Sequence, residues 1–325
     1  MRARLLPVLL AALLPSCGGE EPAKPGVQVL RVGHFPNVTH AHGLVGHALT
    51  RSGKGWFEER VGPGVKVEWF TYNAGPSAME AVLTGAIDLA YVGPSPAVNA
   101  HSRSKGAEVR VLAGATRGGA ALVVQGDGRI AKPADFRGRT VATPQLGNTQ
   151  DVACRAWLID QGFQVTMTGG DVTVVPTQNP DQLALFLKGD LDAVWTVEPW
   201  VSRLESEAKG RVFLDEKDAL TTVLAARAGF LKERPDVAKR FLAAHRELTA
   251  WLGSHAAEAK DLVRSELKEE TTREMKAELL DLSWARMRWD DAVARADFDG
   301  SSKAAVKAGL LNEAPDLSGL VVEIR

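Results

Sequence analysis

Short polar segments that contain a proline or a helix-capping residue recur along the chain, each after an apolar, strand-like stretch. In the segment 140–151, TVATPQLGNTQD, the residues Gln145, Gly147, Asn148 and Thr149 separate a short strand from an amphipathic helix. Side-chain oxygens of Asn and Thr cap helices by accepting hydrogen bonds from free backbone N–H groups. Those N–H groups and the positive end of the helix dipole can bind an anion, although a single corner of this kind is more often an ordinary connection.

Comparable corners follow other strand-like stretches, at 35–40, 73–77, 93–96, 176–179 and 196–200. In open α/β sheets, ligands bind beyond the carboxyl ends of the strands. The corner residues that we select as ligand-binding candidates are Phe35, Pro36, Asn37, His40, Gly75, Pro76, Gly93, Pro94, Ser95, Gln145, Gly147, Asn148 and Thr149. Several such corners in one cleft predict a site for an anion or another small polar molecule, held by backbone N–H groups and side-chain amides.

Two charged residues near these corners each have two interpretations. Arg117 stands beside Gly118 in a segment rich in small residues, and it could form a bidentate pair with an oxyanion in the cleft. It could equally be a solvated arginine on the rim. Glu198 could bind an ammonium group of a zwitterionic ligand, or it could cap the helix that follows Pro199.

Aromatic residues and histidines allow weaker inferences. An apolar wall against a ligand tail could be formed by Trp195, Trp200, Tyr91 and Phe35, although core packing explains each of them equally well. Four histidines lie close together in the sequence: His34, His40, His42 and His47. Histidines two apart on a helix point to different faces, and no cysteine pair or carboxylate lies nearby at ligand spacing, so we expect no metal and no cofactor. Phosphate-loop, GxGxxG and GxSxG motifs are absent.

The composition is that of a globular protein. The chain has 325 residues, of which 45% are hydrophobic, and a net charge of −1. This length suffices for one large or two medium domains. A nearly neutral balance gives no argument for a nucleic-acid partner.

The first residues indicate export. Arg2 and Arg4 precede the apolar run 5–14, which is too short to span a bilayer and is typical of a signal peptide. The run ends in LPSC at 14–17, a pattern similar to a bacterial lipobox, so we expect residues 1–17 to be a signal peptide and Cys17 to carry lipid. Residues 18–27 are then a flexible tether to the membrane. Cys154, the other cysteine, is expected to be a buried, unpaired residue.

An internal repeat determines the predicted organisation. The segment 76–94, PSAMEAVLTGAIDLAYVGP, aligns with 180–198, PDQLALFLKGDLDAVWTVE, at an offset of 104 residues. Each copy starts at a proline, continues as a helix, reaches a glycine and ends as a strand. The strand-like stretches upstream of each copy also correspond.

The sequence therefore predicts an α/β fold of two similar lobes, whose mixed, mostly parallel sheets are joined by two crossover strands. We expect the first lobe to contain residues 28–115 and 220–325, and the second lobe residues 116–219. The small residues at 113–120 suit a hinge. From residue 235 onward the pattern is helical, and we expect these extra helices to pack on the first lobe without a chemical role.

Four segments together resemble one family: HFPNVTHA (34–41), YNAGPSAMEAVLTGAIDLAYVGPSPAVNA (72–100), ATPQLGNTQD (142–151) and WTVEPW (195–200). They are similar to the substrate-binding lipoproteins of bacterial ABC importers for aliphatic sulfonates, nitrate and taurine. The resemblance covers roughly residues 28 to 260. It implies a periplasmic-binding-protein fold of the second type, in which a cleft between two lobes closes on the ligand.

The resemblance also implies roles for residues and partners. Asn37, the helix start after Gly75, the segment 93–95 and the turn 145–149 would contact the anionic head of the ligand, with Trp195 and Glu198 across the cleft. Arg117 stands where many relatives have a small residue. The implied protein is not an enzyme but a monomer on the periplasmic face of the membrane that delivers a small oxyanion to an ABC permease and its ATPase. The alternatives are a binding protein for a phosphonate or a pyrimidine, or an enzyme or sensor domain on the same scaffold.

Overall fold

The computed structural model of the protein describes residues 26–324. The predicted signal peptide, Cys17 and most of the tether lie outside these residues. The strands are β1 (Gln28–His34), β2 (Val65–Thr71), β3 (Leu89–Val92), β4 (Val109–Gly118), β5 (Ala120–Val124), β6 (Thr140–Thr143), β7 (Thr173–Pro176), β8 (Ala193–Val197), β9 (Arg211–Asp215), β10 (Leu220–Arg227) and β11 (Met287–Trp289). The helices are α1 (Ala41–Arg51), α2 (Trp56–Val61), α3 (Gly75–Leu83), α4 (Pro94–Arg103), α5 (Thr149–Asp160), α6 (Asn179–Lys188), α7 (Trp200–Ala208), α8 (Ala228–Glu233), α9 (Pro235–Ser254), α10 (Ala256–Thr271), α11 (Ala277–Ala285) and α12 (Asp299–Lys307).

The strands form two sheets with the same plan. The first sheet has the order β11-β4-β10-β3-β1-β2, and the second has the order β7-β6-β8-β5-β9. In the first, β1 pairs in parallel with β2 and β3, and β10 runs antiparallel to β3 and β4. In the second, β6 pairs in parallel with β7 and β8, and β5 runs antiparallel to β8 and β9. The predicted two-lobed, mixed α/β fold is confirmed. The parallel strand pairs join β1 to β2 and β3 in the first sheet and β6 to β7 and β8 in the second, and the other strand pairs are antiparallel.

The internal repeat corresponds to equivalent elements. Its first copy is α3 followed by β3, and its second copy is α6 followed by β8. The glycine of each copy follows its helix in a left-handed conformation, with φ of +76° at Gly85 and +82° at Gly189. Side chains other than glycine are strained in this conformation, so the glycines end the helices and turn the chain toward the sheet.

Two crossovers join the sheets. The chain passes from β4 to β5 through Gly118 and Gly119, and it returns from β9 to β10 through residues 216–219. Gly118 and Gly119 have φ of +76° and +73°, which glycine adopts most readily. Large apolar cores lie on both sheets, and Cys154 is buried in that of the second lobe, as predicted. Within residues 26–324, none of the helices has both the length and the apolar character that crossing a bilayer requires.

The expectation that the C-terminal helices pack on the first lobe is met in part. Helix α9 does so, with Phe241 and Leu248 in the core of the first sheet. In contrast, α11 contacts α7 of the second lobe, and α12 packs against both α4 and α5. An unpredicted strand, β11, pairs antiparallel with β4. The C-terminal segment thus touches both lobes, because its helices alternate between the two surfaces after the chain has left the first core.

Candidate ligand-binding site

A small cavity lies between the two sheets, at the carboxyl ends of strands from both lobes. Its volume is about 30 Å³. Since one water needs about 10–15 Å³ by this measure, the cavity can hold about two waters or a compact head group. Its lining residues are Phe35, Asn37, Thr39, His40, Asn73, Ala74, Gly75, Gly93, Pro96, Pro144, Asn148, Thr149, Gln150, Asn179, Val197 and Thr221. Among these residues there is no lysine, arginine, aspartate or glutamate. We call this space the inner pocket.

Four helices begin at the inner pocket, two from each lobe. Gly75 opens α3, and Gly93 precedes the first residue of α4. Thr149 opens α5, and Asn179 opens α6. The first N–H groups of a helix have no partner within it, and each helix start carries a partial positive charge. Helix α4 adds positive potential but no free donor, because Pro94 and Pro96 have no N–H group and the Ser95 N–H donates to Thr149. The inner pocket therefore combines donors at the starts of α3, α5 and α6 with the positive potential of four helices, without a formally charged side chain.

The turn before α5 is shaped by a buried carboxylate. Asp151 accepts hydrogen bonds from the Gly147 N–H at 2.9 Å and the Thr143 hydroxyl at 2.8 Å, and it pairs with Arg155 at 3.1 Å. The Asn148 side chain caps α5 by accepting a hydrogen bond from the Asp151 N–H at 2.8 Å, as predicted. These hydrogen bonds fix the conformation of the turn. The backbone N–H groups at the start of α5 therefore face the pocket in a preorganised geometry.

Three hydrogen bonds cross between the lobes at the edge of the pocket. The Trp200 indole N–H donates to Asn37 Oδ1 at 3.1 Å, and the Val38 N–H donates to the Glu198 carbonyl at 3.1 Å. The Ser95 N–H donates to Thr149 Oγ1 at 3.4 Å. Since the Asn37 carbonyl oxygen is occupied by Trp200, its NH₂ group is the part of the amide that remains available to a ligand.

His40 supplies the one titratable side chain of the inner pocket. Its ring stacks on Phe35 with centroids 4.2 Å apart. Burial, and then the neighbouring His34, lower the pKa of His40 well below its usual value, so the imidazole is neutral at neutral pH. Its Nδ1 atom is buried without a hydrogen-bond partner among the described residues.

A much larger space opens outside the inner pocket. This outer cavity has a volume of about 1190 Å³ and shares Asn37, Asn73, Ala74, Pro144 and Asn179 with the inner pocket. One wall comes from α10, α11 and the segment between them, and it is formed by Leu267, Glu270, Thr271, Arg273, Glu274, Met275, Lys276, Glu278, Leu279 and Leu282. A ligand with its head in the inner pocket can therefore extend a tail into a space with both apolar and charged walls.

The structure brings most of the predicted residues together. Those that line one or both spaces are Phe35, Pro36, Asn37, His40, Gly75, Gly93, Gln145, Asn148 and Thr149. Five more do not line either space but adjoin a lining residue in the chain: Pro76, Pro94, Ser95, Gly147 and Glu198. The structure places the remaining three elsewhere: Arg117, Gly118 and Trp195.

Arg117 lies neither in the cleft nor free on the rim. Its guanidinium pairs with Asp290 and Asp297, each at 3.0 Å, and only 15% of its side chain is exposed. These carboxylates follow β11, which pairs with β4 and so brings them beside Arg117. Neither interpretation of this arginine anticipated partners so distant in the sequence. The adjacent Gly118 is closely packed, since a Cβ there would approach the Lys217 carbonyl oxygen to 2.7 Å.

Glu198 and Trp195 are structural residues of the second lobe. The fully buried Glu198 carboxylate accepts hydrogen bonds from the Ser202 N–H at 3.1 Å and the Ser283 hydroxyl at 3.0 Å, and it pairs with Arg286 at 3.0 Å. The structure thus supports the helix-capping alternative for Glu198. Trp195 packs in the core of the second lobe, where its indole N–H donates to Glu216.

Several lining residues were not among the binding candidates. Asn179 lies 104 positions after Gly75, so the repeat that we found in the sequence could have identified it. Thr221 belongs to β10, the strand by which the chain returns to the first lobe. The residues of α10 and α11 in the outer wall showed no sequence signal, because only tertiary packing carries these helices to the cleft.

Solved structures share this fold. The alkanesulfonate-binding protein SsuA from Xanthomonas axonopodis pv. citri, bound to MOPS, superposes with a TM-score of 0.74 and 18% identity, covering 93% of this chain and 99% of that one. The periplasmic aliphatic sulphonate-binding protein SsuA from Escherichia coli superposes with a TM-score of 0.71 and 21% identity, covering 90% and 97%. The molecule is accordingly a two-lobed α/β protein with the periplasmic-binding-protein fold of the second type.

The sequence comparison identifies the family. The NMT1-like family matches residues 23–265, more than half of the chain, and the chain belongs to this family. The taurine-binding periplasmic protein of Escherichia coli (strain K12) is 29% identical over 187 residues, which are 55% of this chain and 55% of that protein. The matched stretch thus spans about half the length of this curated relative.

Proposed function

We propose that the protein is the extracytoplasmic solute-binding component of an ABC importer and captures a small oxyanion, such as a sulfonate, between its lobes. The observation that carries this proposal is the convergence of four helix N-termini on an inner pocket that has no formally charged lining residue. Such donors suit a singly charged head group, because a lysine or arginine is not needed to hold it. The names of its taurine- and sulfonate-binding relatives are in line with this chemistry.

The head of the ligand occupies the inner pocket in this proposal, and its tail extends into the outer cavity. The NH₂ group of Asn37 and the N–H groups at the starts of α3, α5 and α6 donate to the oxyanion. A nitrate would leave the outer cavity unfilled, whereas an alkyl or aryl sulfonate would contact Leu279 and Leu282. The size of the outer cavity therefore favours a ligand with a tail.

The mechanism is capture by closure. A ligand that touches both lobes favours the closed arrangement only through its higher affinity for that arrangement. The moving units that we propose are residues 28–115 with 220–325 and residues 116–219, turning about the two crossovers. The closed form then docks on a membrane permease, whose ATPase drives import. Export by the signal peptide and anchoring through a lipid on Cys17 belong to the same proposal.

Binding rather than catalysis is favoured by the residues of the inner pocket. A general acid–base mechanism needs a titratable group near the reacting atoms. The lining residues offer one neutral imidazole, that of His40, and no carboxylate. Glu198, the carboxylate that an enzyme could have used, is occupied by Ser202, Ser283 and Arg286.

A thermal-shift panel tests the proposal. The panel contains alkanesulfonates of increasing chain length, taurine, nitrate, a phosphonate and a pyrimidine. A ligand that binds the folded state raises the melting temperature, so we expect the shift to be largest for a sulfonate with a tail and small for nitrate. A shift with the pyrimidine and with none of the oxyanions would overturn the proposal.

A further inference from the structure

A cluster of histidine and glutamate side chains lies beside the outer cavity. None of its residues lines the inner pocket. His34 ends β1, His47 lies in α1, and Glu266 and Glu270 lie one turn apart on α10. His34 Nε2 is 2.9 Å and His47 Nδ1 is 3.1 Å from Glu270 Oε1. One ligand atom from each of His34, His47 and Glu270 lies within 4.8 Å of the other two.

Atoms of this cluster lack well-aligned hydrogen bonds. His34 is fully buried, and its Nδ1 has no hydrogen-bond partner among the described residues. Its Nε2 has the 2.9 Å contact with Glu270 Oε1, which is an ion-pair distance without the alignment of a hydrogen bond. Glu270 Oε2 is also buried without a hydrogen-bond partner among the described residues. Buried polar atoms are nearly always hydrogen-bonded, so a buried imidazole and a carboxylate oxygen without aligned partners need another explanation, for which a bound cation is one.

The surrounding backbone makes room for the His34 ring. Gly43 lies inside α1, where glycine destabilises a helix relative to alanine. A Cβ at this position would be 2.5 Å from His34 Cβ and 2.8 Å from its Cγ. The glycine is therefore required by the position of this imidazole, which approaches α10 only because α1 has no side chain there.

An ion can reach the cluster from solvent. Glu270 lines the outer cavity, and 21% of the His47 side chain is exposed. Glu266, unlike Glu270, already has an arginine partner. Its Oε1 pairs with Arg51 at 2.6 Å and also lies 2.8 Å from His47 Nδ1. Because Glu266 contacts the same Nδ1 atom that would bind an ion, the ion takes the place of the proton that Nδ1 shares with the carboxylates. Arg51 keeps Glu266 paired when that proton leaves.

We propose that His34, His47 and Glu270 form a binding site for a divalent transition metal ion of the zinc type, with an open position toward the outer cavity. Two imidazole nitrogens and one carboxylate oxygen are a donor set that zinc accepts together with a water or a ligand atom. Bonds of about 2.0–2.2 Å in a tetrahedron separate donors by about 3.3 Å, so the donor separations of 2.9 and 3.1 Å need to widen only slightly. This site is independent of the oxyanion function proposed for the inner pocket.

The test is zinc binding by full-length protein without a polyhistidine tag, after removal of metal with a chelator. Isothermal titration calorimetry should show one zinc ion per chain, and zinc should raise the melting temperature. Cobalt(II), which reports coordination by its visible absorption, should give the intense bands of a four-coordinate site. His47→Ala and Glu270→Gln should each weaken zinc binding at least about tenfold.

The matched control is His255→Ala, which removes an exposed histidine outside the cluster. This variant should bind zinc as the wild type does, and the melting temperatures of the metal-free variants show whether each is folded. If His47→Ala does not fold, the nearly isosteric Glu270→Gln and the cobalt spectrum of the wild type decide the question. The proposal is overturned if the wild type shows no saturable zinc binding, or if both folded variants keep the wild-type affinity; the cluster would then be a set of ion pairs.

Discussion

At the scale of single residues, the inner pocket depends on neutral side chains held in one orientation. Asn37 shows how this is achieved. Its carbonyl oxygen accepts a hydrogen bond from Trp200 of the other lobe, so its NH₂ group is left to face the ligand. An asparagine without that partner could turn its amide either way and present an acceptor to an anion.

Asn37→Asp tests the sign of the ligand charge. The carboxylate keeps an acceptor for Trp200 but adds a negative charge to a pocket without a lining cation. Repulsion between such charges in a partly buried site is worth several kcal/mol, and we expect the affinity for a sulfonate to fall by at least about a hundredfold in calorimetry. The exposed change Asn312→Asp alters the net charge equally and should have no effect. Unchanged affinity in Asn37→Asp would place the head group elsewhere.

At the scale of elements, the most consequential arrangement is the contact of α11 with the corner between β8 and α7. This corner ends in Glu198, whose fully buried carboxylate needs the charge of Arg286 just after α11. A C-terminal helix for which the sequence predicts no chemical role, α11, therefore stabilises the corner between β8 and α7 of the second lobe. With α10, it also forms one wall of the outer cavity, where a tail would lie.

Arg286→Met removes this contact together with the partly exposed pair that Arg286 forms with Glu205. Removing one partner of a buried ion pair leaves a buried charge that is not compensated, and this loses about 3 kcal/mol or more. The free energy of unfolding in urea should fall by about that amount. Arg288→Met is the matched control, because the exposed Arg288 pairs with Asp218 at 3.1 Å and, more loosely, with Asp290 at 3.6 Å. Surface pairs of this kind contribute less than about 1 kcal/mol each. Equal losses in the two variants would show that the Glu198 contact is not the stronger one.

At the scale of the whole molecule, the lobes approach each other more closely than ordinary side chains would permit. Gly93 of the first lobe faces Thr149 of the second, and a Cβ on Gly93 would overlap the threonine hydroxyl. In the closure that we propose, opening of the lobes would separate these two residues. A substitution there should act on closure with little effect on the folding of either lobe.

Gly93→Ala should therefore weaken ligand binding at least about tenfold, since the added methyl group raises the free energy of the closed form only. The melting temperature without ligand should change little. Gly300→Ala is the control, because that helical glycine has no neighbour within 4 Å of an added Cβ. Calorimetry with the best ligand of the panel measures the effect. Wild-type affinity in Gly93→Ala would mean that the lobes do not close to this distance around the ligand.

Much of this molecule could be predicted from local signals. Hydrophobic periodicity, glycine positions and helix caps are properties of a few neighbouring residues, and they sufficed for the repeat, for α5 with its Asn148 cap and for the two-lobed α/β fold. The repeat also implied that corners of both lobes converge, and nine of the predicted residues line the cavities. The lobe boundaries, the signal peptide and the lipid on Cys17 stay predictions.

The remaining features were decided by contacts between residues distant in the sequence. Arg117 pairs with Asp290 and Asp297 because β11 pairs with β4. Trp195 packs in the core of the second lobe, where the distant Glu216 accepts a hydrogen bond from its indole N–H. No carboxylate lies near the histidines in the sequence. Their carboxylate partner, Glu270, reaches His34 because α10 packs on α1. The sequence alone determined which elements form and which corners meet, since those depend on local chemistry. Only the tertiary structure decided which charged groups pair, because pairing depends on the distance between surfaces that no local pattern encodes.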